Sequence, residues 1–160
     1  MSTNRPAVVR KHPPEVLMKI VNPVMRRLIA RGGKGPAEQL LLLHFTGRRS
    51  GRSFEVPAAR QELGGGEVCV LTNSAWRVNF RGGADIEVTD RGERRPVRAA
   101  LEEDPAAVAA VYTELLGRLG YRKANRLGIS LTVDRPPTRE ELEDAARRYR
   151  LSVVRLTPRV

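Results

Sequence analysis

The chain has 160 residues, of which 41% are hydrophobic, and its formal net charge is +11 at pH 7. This length predicts one compact domain and excludes a large multidomain architecture. The single cysteine, Cys69, excludes an internal disulfide framework. His12 and His44 have no acidic or cysteine ligands near them in the sequence, so we expect no metal site.

The positive charge comes from 29 Lys and Arg against 18 Asp and Glu. Most of the cations are arginine, which can bind phosphate or carboxylate with two donors at once. Composition leaves two interpretations open: an anionic partner, or arginine used at ordinary solvated positions. The sequence shows no secretion signal and no run of about 18 apolar residues, so we expect a cytoplasmic protein.

Residues 1–13 are polar and basic, and we predict a flexible arm there, ahead of a single domain over 14–160. Apolar residues recur at helical spacing over 15–33, with basic residues between them and a kink expected at Pro23. Such a helix either packs against its own domain or lies on an anionic membrane surface. Peripheral membrane association therefore stays open as an alternative to a purely cytoplasmic location.

From residue 39 to about 103 the pattern changes to short apolar runs separated by tight turns. Five strands are predicted, at QLLLLHFT, SFEVPAARQE, EVCVLTN, ADIEVTD and RRPVRAALE, with one or two helical turns at SAWRVNFRGG. Two capped helices follow, one beginning at Asp104-Pro105 and one at the Thr-x-x-Glu box of Thr138. LSVVRLTP is predicted as a sixth strand. The predicted fold is α+β, a small antiparallel barrel with flanking helices.

The turn GRRSGR, at 47–52, joins glycines, a serine hydroxyl and three arginines. Glycines permit a tight turn with exposed N–H groups, and the guanidinium groups add fixed positive charge. These features favour a cradle for phosphate or a polycarboxylate, while a solvated strand end with three arginines is the alternative. The turn lacks the Gly-Lys-Ser/Thr ending of a P-loop.

Pro57 cannot donate to a strand ladder, so it must lie on an edge strand or where pairing has opened. An opened barrel would leave a slot for a flat ring. Thr72, Asn73 and Ser74 offer small polar groups just past a neighbouring strand, and Trp76 has a large aromatic face, although a core position is the commoner role of tryptophan.

Taken together, "TGRRSGRSFEVPA" and "AWRVNF" resemble the deazaflavin-dependent nitroreductases of actinobacteria, the coenzyme F420-dependent quinone reductases. The resemblance covers about residues 38 to 103. It implies a split antiparallel barrel of about six strands, of the FMN-binding or pyridoxamine-oxidase-like type, with flanking helices. It also implies coenzyme F420 in the barrel groove, with its ring deep and its phosphate and oligoglutamate tail near the basic turn; FMN is the alternative cofactor.

The resemblance also implies roles for individual residues. Arg48, Arg49 and Ser50 would bind the phosphate region, and Phe54, Val56, Pro57 and Ala58 would line the path of the tail and ring. Thr72, Asn73 and Ser74 would hydrogen-bond the ring, and Trp76, Arg77 and Asn79 would flank it. The partners implied are a small-molecule electron acceptor and, since split barrels often pair, a second copy of the chain.

In such an enzyme the coenzyme carries the hydride, and the protein supplies orientation and charge stabilisation. Ser74 is the first candidate for a proton donor and Tyr121 or Tyr112 the second. No paired carboxylates are needed, and Asp85, Glu87 and Asp90 are predicted to form a solvated face of their strand.

Two other functions stay open. One is a non-catalytic barrel that binds a flavin, a haem-like group or a fatty acyl chain; the short loop before Trp76 supports it, because this family usually has a longer loop there. The other is a nucleic-acid-binding module, for which the +11 charge is the only support. Base-stacking proteins interleave aromatic residues with their cations, whereas this chain has only seven aromatic residues and its arginines are dispersed, so no nucleic acid is expected.

Overall fold

A computed structural model describes residues 5–10, 27 and 39–159 of the chain. The amphipathic helix predicted over 15–33 lies outside the described residues except for Arg27, as does much of the predicted arm. The two interpretations of that helix therefore remain predictions. Among the described residues, no helix is long and apolar enough to cross a membrane.

The described residues form short strands, two α-helices and three 3-10 helices. The strands are β1 (Val8–Arg10), β2 (Leu40–Thr46), β3 (Ser53–Ala59), β4 (Gln61–Glu62), β5 (Val68–Thr72), β6 (Ala84–Asp90), β7 (Glu93–Glu102), β8 (Ile129–Leu131) and β9 (Ser152–Pro158). The α-helices are α1 (Pro105–Leu119) and α2 (Arg139–Tyr149), and the 3-10 helices are Gly64–Gly66, Ala75–Phe80 and Tyr121–Leu127.

The larger sheet has seven strands in the order β3-β2-β6-β7-β9-β5-β4. It is antiparallel and curls into a half-barrel, which confirms the predicted α+β fold with a split barrel. β3 is an edge strand of this sheet, and its Pro57 pairs with Leu42 on one side only. The missing N–H of proline therefore costs no ladder bond on the open side, as predicted.

All six strands that the sequence predicted are present. One of them, SFEVPAARQE, is divided into β3 and β4. The turn predicted at SAWRVNFRGG is the 3-10 helix Ala75–Phe80. The prediction of a flexible arm is wrong for Val8–Arg10, which form β1 and pair antiparallel with β8. Both strands of this pair were missed because three residues are too few to show a period.

The contacts within the chain divide it into two compact units. We call them the barrel unit (Pro13–Val70, Ser74–Leu101 and Val154–Val160) and the helical unit (Met1–His12, Leu71–Asn73 and Glu102–Val153). β2 crosses the barrel unit between β3 and β6, with Leu43 opposite Val56 on one side and Val88 on the other. This register gathers apolar side chains on one face of the sheet, which is the core of the unit.

In the helical unit, α2 packs against α1 and against β1, which pairs with β8. The predicted caps are confirmed: the Asp104 side chain accepts from the Ala107 N–H, and Thr138 and Glu141 form a capping box. Hydrogen bonds from Arg135 to Glu141 hold the pKa of that carboxyl at about 2.

Candidate functional site

A cavity of about 600 Å³ lies in the barrel unit at the end of the sheet where β2 ends and β3 and β6 begin. Its volume lies within the range of roughly 300 to 1,000 Å³ that is typical of small-molecule and cofactor sites. The lining comes from both faces of the sheet: His44, Phe45, Thr46, Ser53, Phe54, Glu55, Asn79, Phe80, Ala84, Asp85, Ile86, Glu87, Arg94 and Arg159.

One wall of the cavity is aromatic. The rings of Phe45 and Phe54 stack with centroids 5.4 Å apart and an angle of 20° between their planes. The rings of Phe80 and Phe45 meet edge to face with their centroids 5.0 Å apart, and Trp76 packs against both of these rings. Phe54 is 40% exposed, whereas Phe45 and Phe80 are buried. The outer side of the stack is therefore an aromatic surface open to a flat ligand.

The basic turn, residues 47–52, connects Thr46 and Ser53 and so borders the cavity directly. A Cβ at Gly47 would lie only 2.6 Å from the Ser50 hydroxyl oxygen and 2.7 Å from a ring carbon of Phe54, and Gly51 has φ +68°. Both glycines are thus required, the first by close packing and the second by its backbone conformation.

The backbone donors of the turn are largely used within the protein. Gly47 N–H donates to the Arg52 carbonyl at 2.7 Å and Gly51 N–H to the Gly47 carbonyl at 3.0 Å. Arg48 N–H donates to Asn79 Oδ1 at 2.7 Å, and Arg52 N–H donates to Ser50 Oγ at 3.2 Å. The prediction that this backbone offers its N–H groups to an anion is therefore wrong for these four positions. Within the turn, the side chains and the N–H groups of Arg49 and Ser50 are left for that role.

The three arginines of the turn differ in their contacts. The Arg48 guanidinium donates to the carbonyls of Val78 and Arg81, so it fixes the turn to the end of the 3-10 helix Ala75–Phe80. Arg49 and Arg52 are exposed, and neither guanidinium donates a hydrogen bond to another of the described residues. Arg49 and Arg52 are the cations of this turn that an anionic ligand can recruit.

The polar side of the cavity is a network of paired charges on the outer face of the sheet. His44 Nε2 lies 2.7 Å from Thr89 Oγ1, and its Nδ1 lies 3.5 Å from Glu55. Arg94 pairs with Glu87 at 3.3 Å. Burial lowers the pKa of His44 below its ordinary value of 6.5, and nearby Arg94 lowers it further, while Glu55 and Glu87 act in the opposite direction.

Five of the predicted ligand residues lie in or beside this cavity. Phe54 and Asn79 line it, and Arg48, Arg49 and Ser50 belong to the adjoining turn. Both polar atoms of the Asn79 amide are hydrogen-bonded, because its Nδ2 also donates to the Trp76 carbonyl at 2.8 Å. Asn79 therefore has a positioning role: it ties the turn to the 3-10 helix.

Other predicted ligand residues pack in or against the core, lie on the edge strand, or form hydrogen bonds within the protein. Ala58 belongs to the core, and Val56 and Trp76 pack against it. Pro57 is half-buried on the edge strand. Arg77 is buried, and its Nη1 donates to the Ser74 carbonyl at 3.0 Å.

The predicted proton donors do not line the cavity. Ser74 belongs to the barrel unit but is not among the lining residues. Tyr121 belongs to the helical unit, where its hydroxyl donates to Asp134 at 3.0 Å, and Tyr112 is buried in α1 of the same unit. Thr72 and Asn73 also belong to the helical unit, and Asn73 Nδ2 donates to the Tyr149 carbonyl at 3.1 Å.

The resemblance implied a ring deep inside the barrel. The centre of the inner face is filled by side chains that form one core: Leu41, Leu43, Phe45, Ala58, Val70, Phe80, Ile86, Val88, Val97, Ala99, Val154 and Leu156. Interiors packed in this way contain few voids larger than a water molecule. The space large enough for a three-ring ligand lies at the end of the sheet, in the cavity beside the turn.

Sequence reasoning missed the polar half of the cavity, above all His44, Glu55, Glu87 and Arg94. These residues come from four different strands and meet only through the register, which places His44 opposite both Glu55 and Glu87. The signal available was that His44 interrupts an otherwise apolar strand.

The chain is similar to Rv2991, a conserved hypothetical protein from Mycobacterium tuberculosis, with 16% sequence identity and a TM-score of 0.46. The match covers 99% of this chain and 87% of that one. No protein-family model matches the chain, and a search of curated proteins gave no match.

Replacing Asn79 with Ala should release the basic turn, because it removes both the acceptor of the Arg48 N–H and the donor to Trp76. We expect a loss of about 1–2 kcal/mol in the free energy of unfolding, measured by urea denaturation. Arg49→Ala is the control and should stay within about 0.5 kcal/mol of the wild type. Equal stability of the Asn79→Ala variant and the wild type would show that this bridge does not anchor the turn.

The lowered pKa of His44 predicts a pH-dependent stability. The unfolded chain binds the His44 proton at a higher pH than the folded chain does, so the stabilisation is complete above pH 6.5 and declines as the pH falls below it. Urea denaturation of the wild type at several pH values between 8 and 5 should show this decline. The His44→Gln variant, which keeps His12 as the same background in both proteins, should show a smaller one. An identical pH dependence in both proteins would refute the assignment.

Proposed function

We propose that this protein is a coenzyme F420-dependent reductase that reduces a quinone, a nitroaromatic or a similar conjugated acceptor. The observation that carries the proposal is the exposed ring of Phe54, which is stacked on Phe45 beside a 600 Å³ cavity and comes just after Arg49 and Arg52, the two exposed arginines of the turn. This combination suits a ligand with a flat ring at one end and several negative charges at the other.

The residues present fit the two ends of that coenzyme. Phe54 offers an aromatic face to a ring system, and Phe45 and Phe80 support it from the core. Arg49 and Arg52 supply two guanidinium groups for the phosphate and glutamate carboxylates, and charge-assisted hydrogen bonds of this kind are the stronger ones. The Ser50 hydroxyl lies between them in sequence. FMN, which has a phosphate but no glutamate tail, would use the same wall with fewer charges.

Reduced coenzyme F420, when bound, supplies the hydride, and the acceptor takes up one proton in addition. The protein's own part is to orient the ring against Phe54 and to hold the charged tail on the turn. Ser74 and Tyr121 receive no proton-transfer role in this proposal, since neither lines the cavity. The proton comes from solvent, which reaches the exposed side of Phe54.

A barrel that encloses a haem-like group or a long fatty acyl chain is less well supported, because core side chains fill the centre of the inner face and the cavity beside them has a volume of only about 250 Å³. The nucleic-acid alternative gains nothing from the barrel unit, where many arginines are paired with carboxylates of the same sheet, among them Arg94 with Glu87 and Arg98 with Asp85.

A fluorescence titration with coenzyme F420, run beside one with FMN, tests the proposal. We expect the wild type to bind coenzyme F420 more tightly than FMN and to oxidise its reduced form with menadione. Changing both Arg49 and Arg52 to Ala should weaken binding of coenzyme F420 by roughly tenfold for each arginine, and binding of FMN by less.

The matched control changes Arg126 and Arg139, two exposed arginines of the helical unit, to Ala. This control removes the same net charge and should bind coenzyme F420 like the wild type. The proposal fails if the wild type binds neither cofactor. The assignment of the tail to the turn fails if both double variants lose the same affinity.

A further inference from the structure

A second cavity, of about 250 Å³, opens on the inner face of the half-barrel within the barrel unit. Its floor and walls are apolar and come from four strands of the sheet together with β2: Leu41, Val68, Val88, Val97 and Leu156. Gly66 and Pro158 border it. The volume is below the roughly 300 to 1,000 Å³ typical of drug-sized ligands, so only a small molecule fits.

The polar groups of this cavity are Arg60, Asp90, Arg95 and Arg159. Asp90 was predicted to lie on a solvated face with Asp85 and Glu87, and this prediction is wrong for Asp90, whose side chain is only 4% exposed. It differs from the other two in parity along β6, so it points to the inner face while they remain half-exposed on the outer face.

Arg60 neutralises Asp90. Its Nε lies 3.0 Å from each carboxylate oxygen, and its Nη1 donates to Glu62 at 3.2 Å. Taking such a pair out of water has a desolvation cost that its mutual attraction often fails to exceed, so stability alone is a weak reason for placing it beside an apolar pocket. A second reason to place this ion pair beside the pocket is that the pocket presents cationic donors to a ligand.

Arg95 and Arg159 are the cations with donors left to offer. Arg95 Nη2 lies 3.6 Å from Asp90 and its Nε 3.9 Å from Glu93, distances too long for good hydrogen bonds, and its side chain is 53% exposed. Arg159 Nε lies 3.6 Å from Asp85. The cavity lining therefore combines three guanidinium groups with one carboxylate that Arg60 already satisfies.

We propose that this cavity is a binding site for a small amphipathic monocarboxylate. Its short apolar body would occupy the pocket between Leu41, Val88 and Leu156, and its carboxylate would be bound by Arg95 at the rim. Arg159 is shared between the two cavities, since it also lines the larger one, where its Nε lies 3.6 Å from Asp85. A bidentate pair between guanidinium and carboxylate sets the orientation, and burial of the apolar body provides most of the affinity. The proposal concerns a different cavity from the proposed coenzyme site and does not depend on it.

Isothermal titration with octanoate, and with 1-octanol as its uncharged counterpart, tests this site in the full-length protein. The wild type should bind octanoate more tightly than octanol. Arg95→Gln should weaken octanoate binding by about tenfold, the effect of losing one charge-assisted contact, and should leave octanol binding unchanged. Val68→Phe, which fills the cavity, should abolish binding of both.

Arg94→Gln is the matched control, because Arg94 is adjacent on β7 but faces the other side of the sheet and lines the larger cavity. It should bind octanoate like the wild type. Three results would overturn the proposal: no binding of octanoate by the wild type, equal affinity for octanoate and octanol, or a loss in Arg94→Gln as large as in Arg95→Gln. The comparison of the two arginine variants decides the question even if Val68→Phe does not fold.

Discussion

The position of β2 between β3 and β6 is the constraint on which the rest of the barrel unit depends. Its register sends Leu41, Leu43 and Phe45 to the inner face, where they belong to the core, and leaves His44 on the outer face opposite Glu55 and Glu87. A shift of one residue would exchange the two sets and place the imidazole in the core. The packing of the inner face therefore fixes the register.

Both cavities follow from that register. Phe45 and His44, adjacent on β2, line the larger cavity from opposite faces of the strand, while Leu41, near its other end, lines the smaller one. Each cavity combines an apolar surface with arginines, but the balance differs. The larger one has aromatic rings and borders the exposed cations of the turn, and the smaller one has aliphatic walls and a rim of guanidinium groups. Two different ligands suit them.

The sequence predicted most of the barrel, because the apolar run of Leu40–Thr46 and the alternation of apolar and polar residues in Ala84–Asp90 both indicate strands. It failed for Val8–Arg10 and Ile129–Leu131, which are short and pair with each other across more than a hundred positions. Tertiary pairing of that kind leaves no local signal. Pro57 was informative as a single residue, because proline lacks an N–H and must lie on an edge strand or where pairing has opened.

The site was only partly predictable. The glycines and arginines of the turn pointed to the right segment, but which donors are free depends on hydrogen bonds that only the fold creates, such as the one from Arg48 to Asn79. Ser74 and Tyr121 do not line the cavity, and their positions too are set by the fold. Proximity in sequence to a binding turn does not place a hydroxyl on the cavity, and the charged residues that do line it converge from separate strands.

The most direct test of the account is a map of amide chemical-shift changes in a ¹⁵N-labelled sample as coenzyme F420 is added. The account predicts that the changes concentrate at residues 46–54 and at Asn79 and Phe80, with little change in α2. Changes confined to the helical unit, or a spectrum that does not change at all, would contradict it.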